Sequence, residues 1–278
     1  MRVISRDQNT EVVWASPQDI SWADYPRLEL MLRIIKSFNP RENFKVEIDS
    51  EAPAGSGLGG SSVIAIALTA ALAKWFGRNL SKDELVDHAK SVETQTIRVP
   101  TGYQDYWGAV YGGVHAYEMG VNGKLQLTPL GSDHFQQELE KHLLLVYVGK
   151  PHFSGTNNWE LFKRHIDGHQ QIFDFFEALK ENALLMEAAV ESENIDNVAK
   201  ALNKDWQTRK SMLPGMTTPE IENLEAEAFK YGALALRVCG AGGGGCAVLL
   251  IEPDKRKNLN LFIEAMAMRV LPVRISKT

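Results

Sequence analysis

The residues able to do chemistry cluster in a few short segments. The first is Gly55-Ser56-Gly57-Leu58-Gly59-Gly60-Ser61-Ser62. A phosphate is held by several backbone N–H groups converging on it. Glycine lets the chain adopt left-handed conformations and approach an anion without a Cβ clash. A helix N-terminus directly after such a loop adds unpaired N–H groups and partial positive charge. Ser61 and Ser62 add hydroxyls that can reach a phosphate or a metal ion. A tight strand-to-helix turn with serine capping is the plainer reading of the same residues. No Gly-Lys-Ser/Thr follows, so the loop is not of the Walker A type.

Two carboxylates come next. Glu93 falls late in a predicted helix, where its charge opposes the helix dipole at a cost of about 0.3–1 kcal/mol. That points weakly to a compensating cation, and a solvated helix face is the alternative. Asp105 follows the turn Pro100-Thr101-Gly102-Tyr103-Gln104. A second glycine-rich run is Cys239-Gly240-Ala241-Gly242-Gly243-Gly244-Gly245-Cys246. Four consecutive glycines lose much conformational entropy on ordering, which implies a function or a close backbone approach; a long flexible hairpin is the alternative. The two cysteines lack the second pair that a metal site of this type needs.

These segments need elements to position them. Phe44, Val46 and Ile48 alternate with charged residues, predicting a half-buried strand that runs into the first glycine loop. An alanine-rich helix over 63–76, apolar nearly all round and so expected to be buried, leaves that loop, and Gly77 ends it. Ser81-Lys82-Asp83-Glu84 is a capping box opening the helix that carries Glu93. A helix over 25–38 precedes Pro40, and residues 10–14 form a strand. A hairpin joins 111–118 to 125–127 through Asn122-Gly123. An apolar strand covers 142–148 and a helical pattern 159–203. Thr217 or Thr218 caps a helix with Pro219 in its first turn. Strands over 233–238 and 247–251 flank the second glycine run, and a helix over 255–268 and a strand over 271–275 close the chain. The loop 154–158 suits either a sugar contact or a capped helix start. His165 and His169, at helical spacing, have no third ligand in the sequence. This order predicts an α+β sandwich rather than a doubly wound sheet.

With a net charge of −5 and pI ≈ 5.9, the chain has no basic field for nucleic acid or an anionic membrane. Two cysteines make no disulfide framework, no apolar run is long enough to span a bilayer, and the N-terminus lacks a signal-peptide core, so a cytoplasmic protein is expected.

The segment 53–62 closely resembles the second signature of the GHMP kinases, P-x-G-x-G-L-G-S-S-A, with Gly60 in place of the first serine. The run 240–245 resembles their third signature, G-A-G-G-G-G, with Arg237 where lysine is usual. Pro100–Tyr106 resembles the G-x-x-D-Q segment of the sugar-kinase members, with Tyr106 at the glutamine-type position. Trp206 to Ile221 is similar to the W-x-x-K-x-x-L-x-P-G-I-S-x-P-x-I pattern of the D-glycero-D-manno-heptose 7-phosphate kinase branch.

The resemblance implies an ATP- and Mg²⁺-dependent kinase acting on a sugar or sugar phosphate. It implies that Gly55, Ser56, Gly57, Leu58, Gly59, Gly60, Ser61 and Ser62 wrap ATP. Ser61 and Glu93 would hold Mg²⁺, and Asp105 would serve as general base or hydroxyl-orienting group. Gly102, Lys210, Gly240, Ala241, Gly242 and Gly243 would lie on the substrate side. It implies an α+β GHMP fold: an N-terminal half of the ribosomal protein S5 domain 2-like type over 1–140, apparently truncated, and a ferredoxin-like C-terminal half over 141–278. The family's first signature, of the G-R-x-x-x-x-G-G-x-x-D type, has no counterpart in residues 1–40. A start codon further upstream, a naturally short kinase and a non-catalytic nucleotide- or sugar-binding paralogue are the alternatives. Action on galactose, fucose, mevalonate or homoserine is another. A strand missing there would expose a sheet edge, and a homodimer is one expectation.

Overall fold

The computed structural model describes residues 1–6, 9–121, 123–149, 155–212 and 215–276, with side chains of the fourth segment from 159 onward. It divides into two compact units, one of Met1–Ala54 with Leu58–Tyr111, the other of Gly55–Gly57 with Gly112–Thr278.

The first unit contains β1 (Arg2–Ser5), β2 (Thr10–Val13), α1 (Glu29–Ser37), β3 (Lys45–Ile48), α2 (Gly60–Trp75), α3 (Lys82–Ile97) and α4 (Gln104–Tyr111). The strand order is β2-β1-β3, with β1 antiparallel to β2 and parallel to β3. Met31, Leu32, Ile34 and Ile35 bury one face of α1, and α2 packs with α1, α3 and α4. The helix α2 is not buried all round. Ala65, Ile66, Leu68 and Leu72 are inside, but Val63 and Trp75 are 43% and 71% exposed. Residues of α2 and β3 wall an apolar groove of about 730 Å³. The capping box of α3 forms as expected: the Ser81 N–H donates to Glu84 Oε2 at 2.7 Å and the Glu84 N–H donates to Ser81 Oγ at 3.3 Å.

Where sequence periodicity suggested a strand from 111, the chain instead makes α4 up to Tyr111. Tyr106 and Trp107 are buried on it, and Gly112 and Gly113, both with positive φ, end it. Strand β1 and the later helix α5 carried no signal that the periodicity detected.

The second unit follows with β4 (His115–Met119), β5 (Leu125–Pro129), α5 (Asp133–His142), β6 (Leu143–Tyr147), α6 (Gly155–Ile166), α7 (Gln170–Glu191) and α8 (Ile195–Met212). It ends with α9 (Pro219–Lys230), β7 (Ala233–Val238), β8 (Cys246–Ile251), α10 (Arg256–Ala265) and β9 (Arg269–Leu271). The expected hairpin is β4-β5; Asn122 of its turn lies outside the described residues, as do Ser154, Leu213 and Pro214. The single helical pattern over 159–203 resolves into α6, α7 and α8, interrupted at Gly168 and Glu193, which both take positive φ. Thr218 is the residue that caps α9, and the closing strand lies at Arg269–Leu271 rather than over 271–275.

The main sheet has the order β7-β8-β6-β9 with every neighbouring pair antiparallel. Read from β6, the chain runs strand, helices, hairpin, helix, strand, which is the split βαβ arrangement of the ferredoxin-like fold. Both faces are covered. Leu144, Val146, Leu236, Leu249 and Ile251 pack with Trp206, Ile221, Leu224 and Leu259. Ala235 and Leu250 pack with Phe135, Val190, Ala199 and Leu202.

Candidate active site

In the first unit the catalytic candidates converge. The helix α2 starts at Gly60 with Gly59 as its N-cap at φ 68°, so Ser61 and Ser62 stand in its first turn. The three- and four-residue spacing of one helix face turns Val86, Ala89, Val92 and Glu93 of α3 inward together. Glu93 is therefore carried into the interior by its helix face, and it is only 4% exposed. Its Oε1 accepts a hydrogen bond from Ser61 Oγ. Its Oε2 accepts from Ser62 Oγ at 2.9 Å and from the Tyr106 hydroxyl at 2.6 Å. The Tyr106 oxygen also lies 3.2 Å from Thr101 Oγ1. Burial, and then the hydrogen bond to Glu93, raise the Tyr106 pKa far above that of an ordinary phenol, so it remains a donor.

None of the ion pairs among the described residues includes Glu93. A buried carboxylate is costly unless it is paired or hydrogen-bonded, and here three hydroxyls carry that task. The donor set facing a cation would be Ser61 Oγ and Glu93 Oε1, oxygen only, which suits a hard ion such as Mg²⁺. No group of three His, Cys, Asp or Glu side chains able to hold a metal occurs among the described residues. A cation here would thus take most of its ligands from phosphate oxygens and water, as Mg²⁺ characteristically does. His165 instead packs its ring on Phe173 and Phe176.

Asp105 lies directly over the loop. A Cβ built on Gly59 would fall 2.8 Å from Asp105 Cγ, so only glycine fits beneath it. The residue keeps solvent access, yet the atoms packed round its carboxyl and then the nearby Glu93 charge both raise its pKa above the usual aspartate value. Gly102 sits just before α4 and its carbonyl accepts from Thr101 Oγ1 at 3.0 Å.

In the second unit Gly55–Gly57 dock on the other glycine-rich loop. The Cys246 N–H donates to the Ser56 carbonyl at 2.7 Å and the Cys239 N–H donates to the Cys246 carbonyl at 2.8 Å. Gly57 has φ 75°, and a Cβ there would lie 2.7 Å from the Cys239 carbonyl oxygen. The Gly243 N–H donates to the Met216 carbonyl at 2.9 Å. Gly240 thus meets Gly57 of the first loop, while Gly242 and Gly243 meet Met216. The cysteines are free thiols, pushed by burial up to about 11 for Cys239 and about 12 for Cys246.

Lys210 has different company. Its ammonium bonds both carboxylate oxygens of Glu225, at 2.9 and 3.0 Å, and lies 5.6 Å from the centre of the Trp206 ring. Nearby, Asp205 Oδ2 lies 2.7 Å from Arg209 Nε and 2.9 Å from Arg237 Nε. The tie between Tyr106 and Glu93 escaped sequence reasoning. The only available sign was a tyrosine standing where an amide side chain is usual.

The family model described as the GHMP kinases N terminal domain matches residues 28–113, and the model for the GHMP kinases C terminal domain matches 185–266. The chain is 26% identical over 267 residues to a D-glycero-alpha-D-manno-heptose 7-phosphate kinase of Campylobacter jejuni, covering 91% of this chain and 78% of that protein. It is 27% identical over 244 residues to a mevalonate kinase of Archaeoglobus fulgidus, covering 85% and 77%. The structure of a D-glycero-D-manno-heptose 1-phosphate kinase from Bacteroides thetaiotaomicron superposes with a TM-score of 0.74 at 20% identity, covering 98% of this chain and 78% of that one. At that identity the structural likeness bears on fold alone.

Proposed function

The chain belongs to the GHMP kinase family, and on that premise we propose that it transfers the γ-phosphoryl group of ATP to a hydroxyl of a sugar phosphate of the heptose 7-phosphate kind. The observation that carries this reading is the buried Glu93 carboxylate, free of any ion pair among the described residues. It is held by the first-turn serines of the helix that leaves the glycine loop. Such a carboxylate suits a site that receives a divalent cation together with polyphosphate.

In this reading Gly55–Ser62 offer backbone N–H groups to the phosphates, and the N-terminus of α2 adds its unpaired donors. Ser61 and Glu93 would hold Mg²⁺, which when bound neutralises charge on the β- and γ-phosphates. Asp105 orients the acceptor hydroxyl and accepts its proton as the bond from that oxygen to phosphorus forms and the β–γ bridging bond breaks. Because such transition states are loose, positioning is the larger part of its task. The 206–221 segment and the similarity to a heptose 7-phosphate kinase favour a phosphorylated sugar as acceptor. Gly102, Lys210 and the loop Gly240–Gly243 are assigned to its side of the site.

The test is ADP release from ATP and Mg²⁺ with heptose 7-phosphate, galactose, fucose, mevalonate and homoserine compared side by side. Sugar-phosphate-dependent release is expected. In Asp105→Asn, turnover should fall by about 10²–10⁴ while ATP binding persists. Release with mevalonate but with none of the sugars would reject the acceptor assignment.

A further inference from the structure

We propose that Tyr106 is a positioning residue for the bound metal–nucleotide, acting through Glu93; the proposal rests on the kinase reading above. The two oxygens of Glu93 are not equivalent. Oε2 accepts two hydroxyl protons, from Tyr106 at 2.6 Å and Ser62 at 2.9 Å. Among the described residues, Oε1 accepts from Ser61 alone. An oxygen whose lone pairs already receive two donors is a poor metal ligand, so the cation is directed to Oε1 and Ser61 Oγ. Tyr106 therefore selects which carboxylate oxygen coordinates, and it holds the plane of that carboxylate.

The phenol suits this work. Its side chain is wholly buried, so water cannot replace the hydrogen bond without repacking. Its ring is a stiff stem with only two side-chain torsions, and Thr101 Oγ1 holds the far side of its oxygen at 3.2 Å. Tyr106 also follows Asp105 in the same first turn of α4. One turn of helix therefore sets both the metal-side carboxylate and the carboxylate over the loop. Groups that orient a ligating carboxylate usually matter about 10–100-fold in metal affinity.

The test uses Mn²⁺ in place of Mg²⁺, with a non-hydrolysable ATP analogue and electron paramagnetic resonance to count free Mn²⁺. Tyr106→Phe should weaken nucleotide-dependent Mn²⁺ binding by about 10–100-fold and leave nucleotide affinity in EDTA unchanged. Its turnover should recover as Mg²⁺ is raised, which loss of a purely structural contact would not produce. Thr101→Val, which frees the far side of the phenol oxygen, should shift Mn²⁺ affinity the same way by a smaller factor. It serves alone should Tyr106→Phe fail to fold by circular dichroism. Wild-type Mn²⁺ affinity in the folded variants, or equal loss of nucleotide affinity with and without metal, overturns the proposal. If the wild-type protein itself shows no nucleotide-dependent Mn²⁺ binding, the kinase reading fails first.

Discussion

Two glycines illustrate how single residues shape the first glycine loop. Gly57 and Gly59 both take left-handed φ, and for each a methyl group would meet atoms already in place. At Gly57 the obstacle is the Cys239 carbonyl, part of a backbone that cannot rotate aside. At Gly59 it is the carboxyl of Asp105 itself. Gly59→Ala should cost about 1–2 kcal/mol from the left-handed conformation and also push Asp105 out of place. Turnover should therefore fall much further than the melting temperature suggests, a comparison that kinetics and a thermal melt on the same preparation make directly. A substitution that lowers only stability would mean Asp105 tolerates the displacement.

Elements matter because each catalytic candidate is delivered by a different one. The α3 helix carries Glu93 inward three turns from the capping box that starts it, while α2 and α4 bring the hydroxyls that hold it. Ser81→Ala removes the cap without touching the site. It should cost about 1 kcal/mol, lowering the melting temperature by about 2–4 °C for a chain of this size. Turnover well below the melt should be unchanged, and a drop there would mean the capped end of α3 reaches the chemistry. In the second unit the comparable ties are ionic: Asp205 on α8 receives both Arg209 and Arg237 of β7. Burial lowers the Arg237 pKa, Arg209 adds to that, and Asp205 opposes it.

Stability of the folded molecule should depend on pH through His88. This α3 residue packs on Phe38 with ring centres 5.2 Å apart, and its Nε2 lies 2.7 Å from Ser37 Oγ. Burial first, and then the charge of Arg78, hold its pKa below the ordinary 6.5. Below pH 6.5 the unfolded chain takes up a proton that the folded chain resists, so stability rises with pH in this window. The contribution is intact above 6.5 and is lost as pH falls through the folded pKa. Wild-type protein should therefore lose melting temperature more steeply from pH 7 to pH 5 than His88→Gln, as parallel melts would show. Identical slopes would place the acid sensitivity elsewhere.

The glycine loops, the capping box, a threonine cap at Thr217 or Thr218 and most strand and helix positions were legible in the amino-acid sequence. They rest on local physics: left-handed φ, capping hydroxyls and the periodicity of apolar residues. The resemblance to the GHMP kinases reached the fold by the same local signatures, and the β7-β8-β6-β9 order agrees with the ferredoxin-like half it implied. What only the tertiary structure decided were pairings between distant residues. Ser61 meets Glu93 across 32 positions and Tyr106 meets it across 13, and Lys210 turns to Glu225. No periodicity encodes these contacts, because they depend on how separate helices pack. The same packing turned Glu93, by its sequence more readily a solvated helix residue, into a buried carboxylate held by three hydroxyls.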